Sequence, residues 1–261
     1  MECSIINSVG GVSYGSRPGA SGDHSFAIHN NVIDGILGSI SFNIFDTGSI
    51  AIRTKDNLVR NTRTGIAIRT LPPSTVRLGF TSSGDRCLNN VDVGMALVTT
   101  AATTGAVTIE NLICAGCPGI GLNTRLAAGN HTWIARHLTL ADHGTGLSAA
   151  TGQSFDHCIF AGNRTADRVG GPTITYSCLE STTDPGIGNL SLTDPQLLRP
   201  LYKLAPTSPC IDAADPNGTF AATDYEGDPR KSIGRANGAT RADLGADEYV
   251  YAGSVRTYGP V

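Results

Sequence analysis

Apolar residues along this chain occur in short runs that alternate with small or polar residues, and Gly and Asn punctuate the runs. Ile50-Ala51-Ile52, Ile66-Ala67-Ile68 and Met95-Ala96-Leu97 show the alternation directly. A period of two puts successive side chains on opposite faces of a strand, whereas an apolar helical face recurs every three or four residues. The elements predicted are therefore short β-strands bounded by turns.

The alternation is itself repeated. Asn111-Leu112-Ile113-Cys114 followed by Gly119-Ile120-Gly121-Leu122-Asn123 returns as His137-Leu138-Thr139-Leu140 followed by Gly144-Thr145-Gly146-Leu147-Ser148. A polar residue set just before an apolar one extends this into a column of Asn31, Asn43, Asn57, Asn90, Asn111, His137, His157 and Ser177. Where no loop intervenes the members are 20 or 21 residues apart, as from 90 to 111 and from 137 to 157. Such a period marks a stacked solenoid, and leucine-rich repeats of similar length would need far more leucine at fixed positions. A coil of short strands stacked rung on rung is a parallel β-helix. In it the column forms a structural ladder, each polar side chain bonding to the rungs above and below and to the bent backbone.

Composition narrows the picture without redirecting it. The 261 residues are 40% hydrophobic but only 6% aromatic, with 32 Gly and 13 Pro, which suits one buried core with many turns. A net charge of −3 without a basic run leaves no electrostatic footprint for nucleic acid, and no apolar stretch is long enough to span a bilayer. Met1 to Ile5 has neither the basic start nor the apolar core of a secretion signal, so a fragment, a mature form or another export route is expected. Among seven cysteines, Cys114 and Cys117 form a lone Cys-x-x-Cys read as packing rather than metal binding, and Cys158 and Cys178 are expected to stack in one inward column.

After Leu179 the pattern stops. Asp194-Pro195-Gln196-Leu197, Tyr202-Lys203-Leu204, Ser208-Pro209-Cys210-Ile211-Asp212-Ala213-Ala214-Asp215, Asp224-Tyr225-Glu226-Gly227-Asp228-Pro229-Arg230 and Ala242-Asp243-Leu244-Gly245-Ala246-Asp247-Glu248-Tyr249 follow in order. This series resembles the terminal segment of bacterial right-handed β-helix proteins of the pectate-lyase-like superfamily, in particular the choice-of-anchor Q domain group. The fold expected is all-β, a right-handed parallel β-helix (solenoid) with an irregular C-terminal capping segment. Residues 1–25 are expected to be irregular with an incomplete first rung, 26–189 to form the rungs, and 190–261 to be a tail that covers the C-terminal end. Excursions from Leu71 to Arg86 and from Ala127 to Thr132 are expected to protrude. The resemblance implies an extracellular or cell-surface protein and includes polysaccharide lyases, glycoside hydrolases and members without known activity.

Candidate chemistry lies outside the coil, because side chains fill the interior. If Ile66 and Ile68 point inward, Ala51, Ala67, Ala96, Gly121 and Gly146 form an outward strip almost free of side chains. Arg53, Arg69, Val98, Asn123 and Ser148 then form the next column, with Arg53 and Arg69 stacked on adjacent rungs. A flat strip beside guanidinium forks suits an acidic sugar chain. Elimination from a uronic acid needs a base and a charge clamp. The β-helix lyases of the kind this chain resembles use Arg or Lys as base with calcium-binding carboxylates, and the resemblance implies Arg53 or Arg69 in that role, with Asp142 and His143 adding an acid or metal ligand. The substrate would lie on Ala67, Ala96, Gly121, Asn123, Gly146 and Ser148. A hydrolase would need carboxylates about 5 to 9 Å apart, and only Asp34 and Asp46 occupy matching positions, both in turns. Asp212, Asp215, Asp224 and Asp243 could gather around calcium or serve as turn and capping groups, and no metal ligand is assigned. Two readings stay open: a protein that binds an acidic polysaccharide and cleaves it by elimination, and a non-catalytic adhesion or self-assembly protein contacting another subunit.

Overall fold

A computed structural model gives the architecture and describes residues 2–6, 11–18, 20–125, 130–232, 234 and 240–251. Among them there is no α-helix: three stacks of parallel strands, called sheets A, B and C, close a β-solenoid, and the chain visits them in the order A, C, B on every complete rung. Ser21–His29 lies in sheet A, Val32–Asp34 in C and Ile40–Ile44 in B, and Thr47–Lys55, Leu58–Arg60 and Thr64–Thr70 form the next rung directly on it. The incomplete first rung is Glu2–Ile6 in sheet A and Val12–Gly15 in sheet B, so the coil starts before residue 26.

Strand alternation fills the interior from three sides. Ile50 and Ile52 enter from sheet A, Val59 and Cys114 from C, and Ile66, Ile68, Met95 and Leu97 from B, all essentially inaccessible to water. The repeat is longer than the sequence suggests for most of the coil. Val32, Leu58, Arg86, Ile113, Thr139, Ile159 and Cys178 succeed one another in sheet C, a step of 26 to 28 residues as far as Thr139 and of 20 and then 19 beyond it. The coil tapers as sheet A strands shorten from the nine residues of Thr47–Lys55 to the three of Ser154–Asp156. The excursion expected from Leu71 to Arg86 is short, because Arg77–Ser83 is a regular strand of sheet A. Of the second, Ala127 to Gly129 fall outside the described residues and Asn130–Arg136 is again a strand.

Two corners turn the chain, and both rely on residues that tolerate positive φ. Between sheets A and C stand Asn30, Asp56, Gly84, Asn111, His137, His157 and Tyr176, and between C and B stand Asn61, Asn89, Gly116, Asp142 and Gly162, all between 43° and 73°. Asn and Asp bear this conformation because their short polar side chains bond locally, which explains the polar punctuation of the sequence. The single column read from the sequence is thus several. Asn111, His137 and His157 sit on the first corner, whereas Asn31, Asn57 and Ser177 lie one residue later. Asn90 belongs to the second corner, and Asn43 is on a sheet B strand beside Arg69.

The ladder bonds are real within these corrected columns. Asn31 donates from its backbone and its amide to Asn57 Oδ1 at 3.0 and 2.9 Å, and Asn57 does the same to Asp85 Oδ1 at 3.0 and 2.8 Å. Apolar Leu112 and Leu138 then take the position, where no such bond is possible.

At its start the tail adds Leu190–Ser191 to the C-terminal end of sheet C, and its described residues beyond that pack along the outer face of the same sheet. Ile113, Ala115, Ala141, Ile159, Ala161 and Cys178 point outward there and are buried by Leu197, Tyr202, Leu204, Ile211 and Leu244 of the tail. This second core places Cys178 outside the coil and Cys158 inside it, so the two do not share a column. At its centre the buried Arg230 donates to the carbonyls of Gly245 and Ala246 and to Asn111 Oδ1 at 2.8 Å, tying the tail to the first corner.

Candidate functional site

The outer face of sheet B carries a groove of about 470 Å³ lined by Ser41, Asn43, Ala67, Arg63, Arg69 and Asp92, with the Ile36–Ser39 segment rising beside it. Ser41 and Ala67 form its floor, and their register column continues beyond the groove through Ala96, Asn123 and Ser148. Ala67 and Ala96 are outward neighbours of core isoleucine and methionine, yet only 1% and 4% exposed, so this part of the column is recessed rather than an open strip. Asn123 and Ser148 continue the Ala67–Ala96 column and not a flanking one.

Arg69 stands beside the floor in the column Asn43, Arg69, Val98. It is half-buried, and among the described residues no carboxylate forms an ion pair with it. Arg63 at the rim pairs with Asp92 at 2.7 Å, and that hydrogen bond raises its pKa. The groove therefore holds two guanidiniums against one carboxylate.

Arg53 is elsewhere. It lies in sheet A between Ala27 and Thr81 and faces outward on a different side of the coil, so the expected stack of Arg53 on Arg69 does not form. Ala51 is also in sheet A, in the column Ser25, Ala51, Gly79, beside an open groove of about 560 Å³ whose lining includes Asp23, His24 and Arg77.

Gly121 and Gly146 leave the substrate-facing set as well, since both are buried near the start of sheet B strands, just after the second corner, under ladder side chains. A Cβ on Gly121 would meet His143 Nε2 at 2.4 Å, and one on Gly146 would meet Asn163 Nδ2 at 2.8 Å. Gly65 and Gly94 continue this column, with Asn90 and Cys114 against them. The repeated glycine is thus a packing requirement of the ladder.

His143 is part of that ladder and is wholly buried. Its Nδ1 accepts the Cys117 N–H at 3.1 Å and its Nε2–H donates to the Cys114 carbonyl at 2.9 Å, which defines a neutral ring with both nitrogens used. Burial holds its pKa below the usual value. Asp142 is spent differently. Its carboxylate accepts Arg199 at 2.8 and 3.0 Å and the Tyr202 hydroxyl at 3.1 Å, anchoring the start of the tail. Burial, then the Asp142 charge, pushes the Tyr202 phenol up to about 12. Neither residue is disposed to act on a ligand in the groove.

The remaining expectations resolve structurally. Asp34 pairs with Arg60 and Asn61, while Asp46 is buried and accepts the Tyr14 hydroxyl, so they are not a hydrolytic pair. The Cys117 thiol is pushed up to about 12 by burial. In the tail, Asp243 caps the backbone of Asp212 and Tyr249, and Asp224 caps Glu226, Asp228 and Glu248. Among the described residues, oxygens of Asp224, Glu226 and Asp247 lie within 4.8 Å of one another, with Lys203 already paired to Glu226. No described helix is long and apolar enough to cross a membrane. No protein-family model and no curated protein sequence matches this chain.

Proposed function

We propose that this protein is an extracellular β-solenoid that holds an acidic polysaccharide on the outer face of sheet B, with a uronate carboxylate against Arg69. The observation that carries the reading is the half-buried guanidinium of Arg69 beside a recessed small-residue floor, with no carboxylate among the described residues paired to it. A carboxylate there forms a charge-assisted, bidentate contact, and hydroxyls of adjoining sugars meet Asn43, Ser41 and Asn123 along the coil axis.

Binding is favoured over cleavage. Elimination needs a base and a group that stabilises the developing enolate, and Asp142 and His143 are committed to the tail and the ladder. The similarity to pectate-lyase-like proteins noted in the tail supports the architecture of such a binder, and calcium has no role in the reading. A second reading, contact with another protein subunit at the same groove, is favoured by the Ile36–Ser39 rim, where Leu37 is 96% and Ile36 58% exposed.

Titration with uronic-acid polymers and matched neutral polymers tests this. The acidic polymers should bind, with no unsaturated product accumulating, and Arg69→Ala should weaken binding roughly 10-fold or more, the worth of one charge-assisted contact, while melting is unchanged. Equal affinity of wild type and variant, or retention of neutral polymers alone, would refute the assignment.

A further inference from the structure

Of the six cysteines with described side chains, Cys87, Cys114 and Cys158 belong to the interior core and Cys117 to the second corner, leaving Cys178 and Cys210 between coil and tail. Cys178 projects outward from sheet C next to Ile159 and is fully buried beneath the tail. Cys210 approaches from the other side, also fully buried.

The turn that carries Cys210 is held in place. Its N–H donates to Ser208 Oγ at 3.1 Å, and Ser208 Oγ donates to the Pro195 carbonyl at 2.6 Å. Its carbonyl accepts the Leu244 N–H at 3.0 Å, and the following Gly245 N–H donates to the His157 carbonyl on the coil at 2.8 Å. Gly245 in turn lies against Ile159, the register neighbour of Cys178. Cys178 on sheet C and Cys210 on the tail are thus both fully buried in the one core between coil and tail, each as a free thiol.

We propose that Cys178 and Cys210 join in a disulfide that staples the tail to sheet C, formed by exchange with a small-molecule disulfide. One thiolate attacks a sulfur of the external disulfide and releases one thiolate from it. The second cysteine thiolate then attacks the mixed disulfide and releases the other. Two cysteine thiols are oxidised, the external disulfide is reduced to two thiols, and the two cysteine protons end on those leaving groups. The neighbouring Cys178 thiol, and then burial, keep the Cys210 thiol protonated in the docked state, so exchange proceeds while the tail is docking, and the finished bond is shielded. The cross-link closes a loop from 178 to 210, which restricts the unfolded chain and holds the second core together.

The test is to refold the protein with oxidised glutathione or with excess dithiothreitol, alkylate in denaturant, digest and map by mass spectrometry. Oxidative refolding should yield a linked Cys178–Cys210 peptide pair with Cys87, Cys114, Cys117 and Cys158 alkylated, and should raise Tm by roughly 5–10 °C over the reduced form. Cys210→Ala should abolish both the link and the redox dependence of Tm, whereas Cys158→Ala should keep both. Alkylation of both Cys178 and Cys210 after oxidative refolding, or a link from either to another cysteine, would overturn the proposal. The wild-type map decides even where a variant fails to fold.

Discussion

At the level of single residues the second corner decides what the outer groove can do. His143 has the residue type of a catalyst, but a corner ladder consumes both its nitrogens, and Gly121 and Gly146 are small because ladder side chains lie over them. This predicts a contrast between two glycines. Gly121→Ala places a methyl on an aromatic ring held by two hydrogen bonds and should cost about 2–3 kcal/mol, lowering Tm by roughly 5–10 °C. Gly79→Ala, on the open outer face of sheet A with its nearest contacts at 3.8 and 3.9 Å, should change Tm by no more than about 2 °C. Thermal melts of the two variants check this, and equal stability would show that the ring does not occupy the space over Gly121.

The first corner is the element that couples the coil to its tail. His137 and His157 stack at 4.9 Å, and Phe220 of the tail meets both edge-on at 5.3 and 5.1 Å, with Lys231 over the phenyl ring. Burial holds the His137 pKa well below its ordinary value, and Arg230, His157 and Arg136 add to the effect; Asp156 lies by His157. The folded state thus disfavours the protonated ring, while the unfolded ring takes up a proton near pH ~6.5. Stability from this group is complete above that pH and is lost as pH falls below it, by up to about 1.4 kcal/mol per pH unit. Asn occupies the same positive-φ column at 111, so His137→Asn keeps the corner and removes the titration. Melting between pH 7 and pH 5 should fall less steeply for the variant than for wild type, and parallel curves would contradict this account.

Over the whole molecule, the coil has an outer face that is not stable alone. Sheet C presents Ile113, Ile159 and three alanines outward, a flat apolar surface of parallel strands that water would otherwise meet. Removing residues 190–261 should therefore give aggregation or extrapolated loss of cooperative folding, read by light scattering and melting, and a soluble, fully cooperative truncation would exclude the need for the cover. The sequence by itself determined the strand period, the parallel stacking and the polar corners, because alternation and positive φ are local demands that residues such as Ile66, Ala67 and Asn111 state on their own. It also marked the tail as a different kind of segment from Leu179 onward. Register was decided only by the tertiary structure: a slip of two residues keeps every side chain on its face, so Ala67 could be matched with Gly121 when its true neighbour two rungs on is Asn123. Sheet membership was also invisible, since Arg53 and Arg69 follow similar strands but lie on different sides of one rung. The partners of Asp142 and Asn111 come from 57 and 119 residues away, and contacts across such separations leave no periodic trace in the chain.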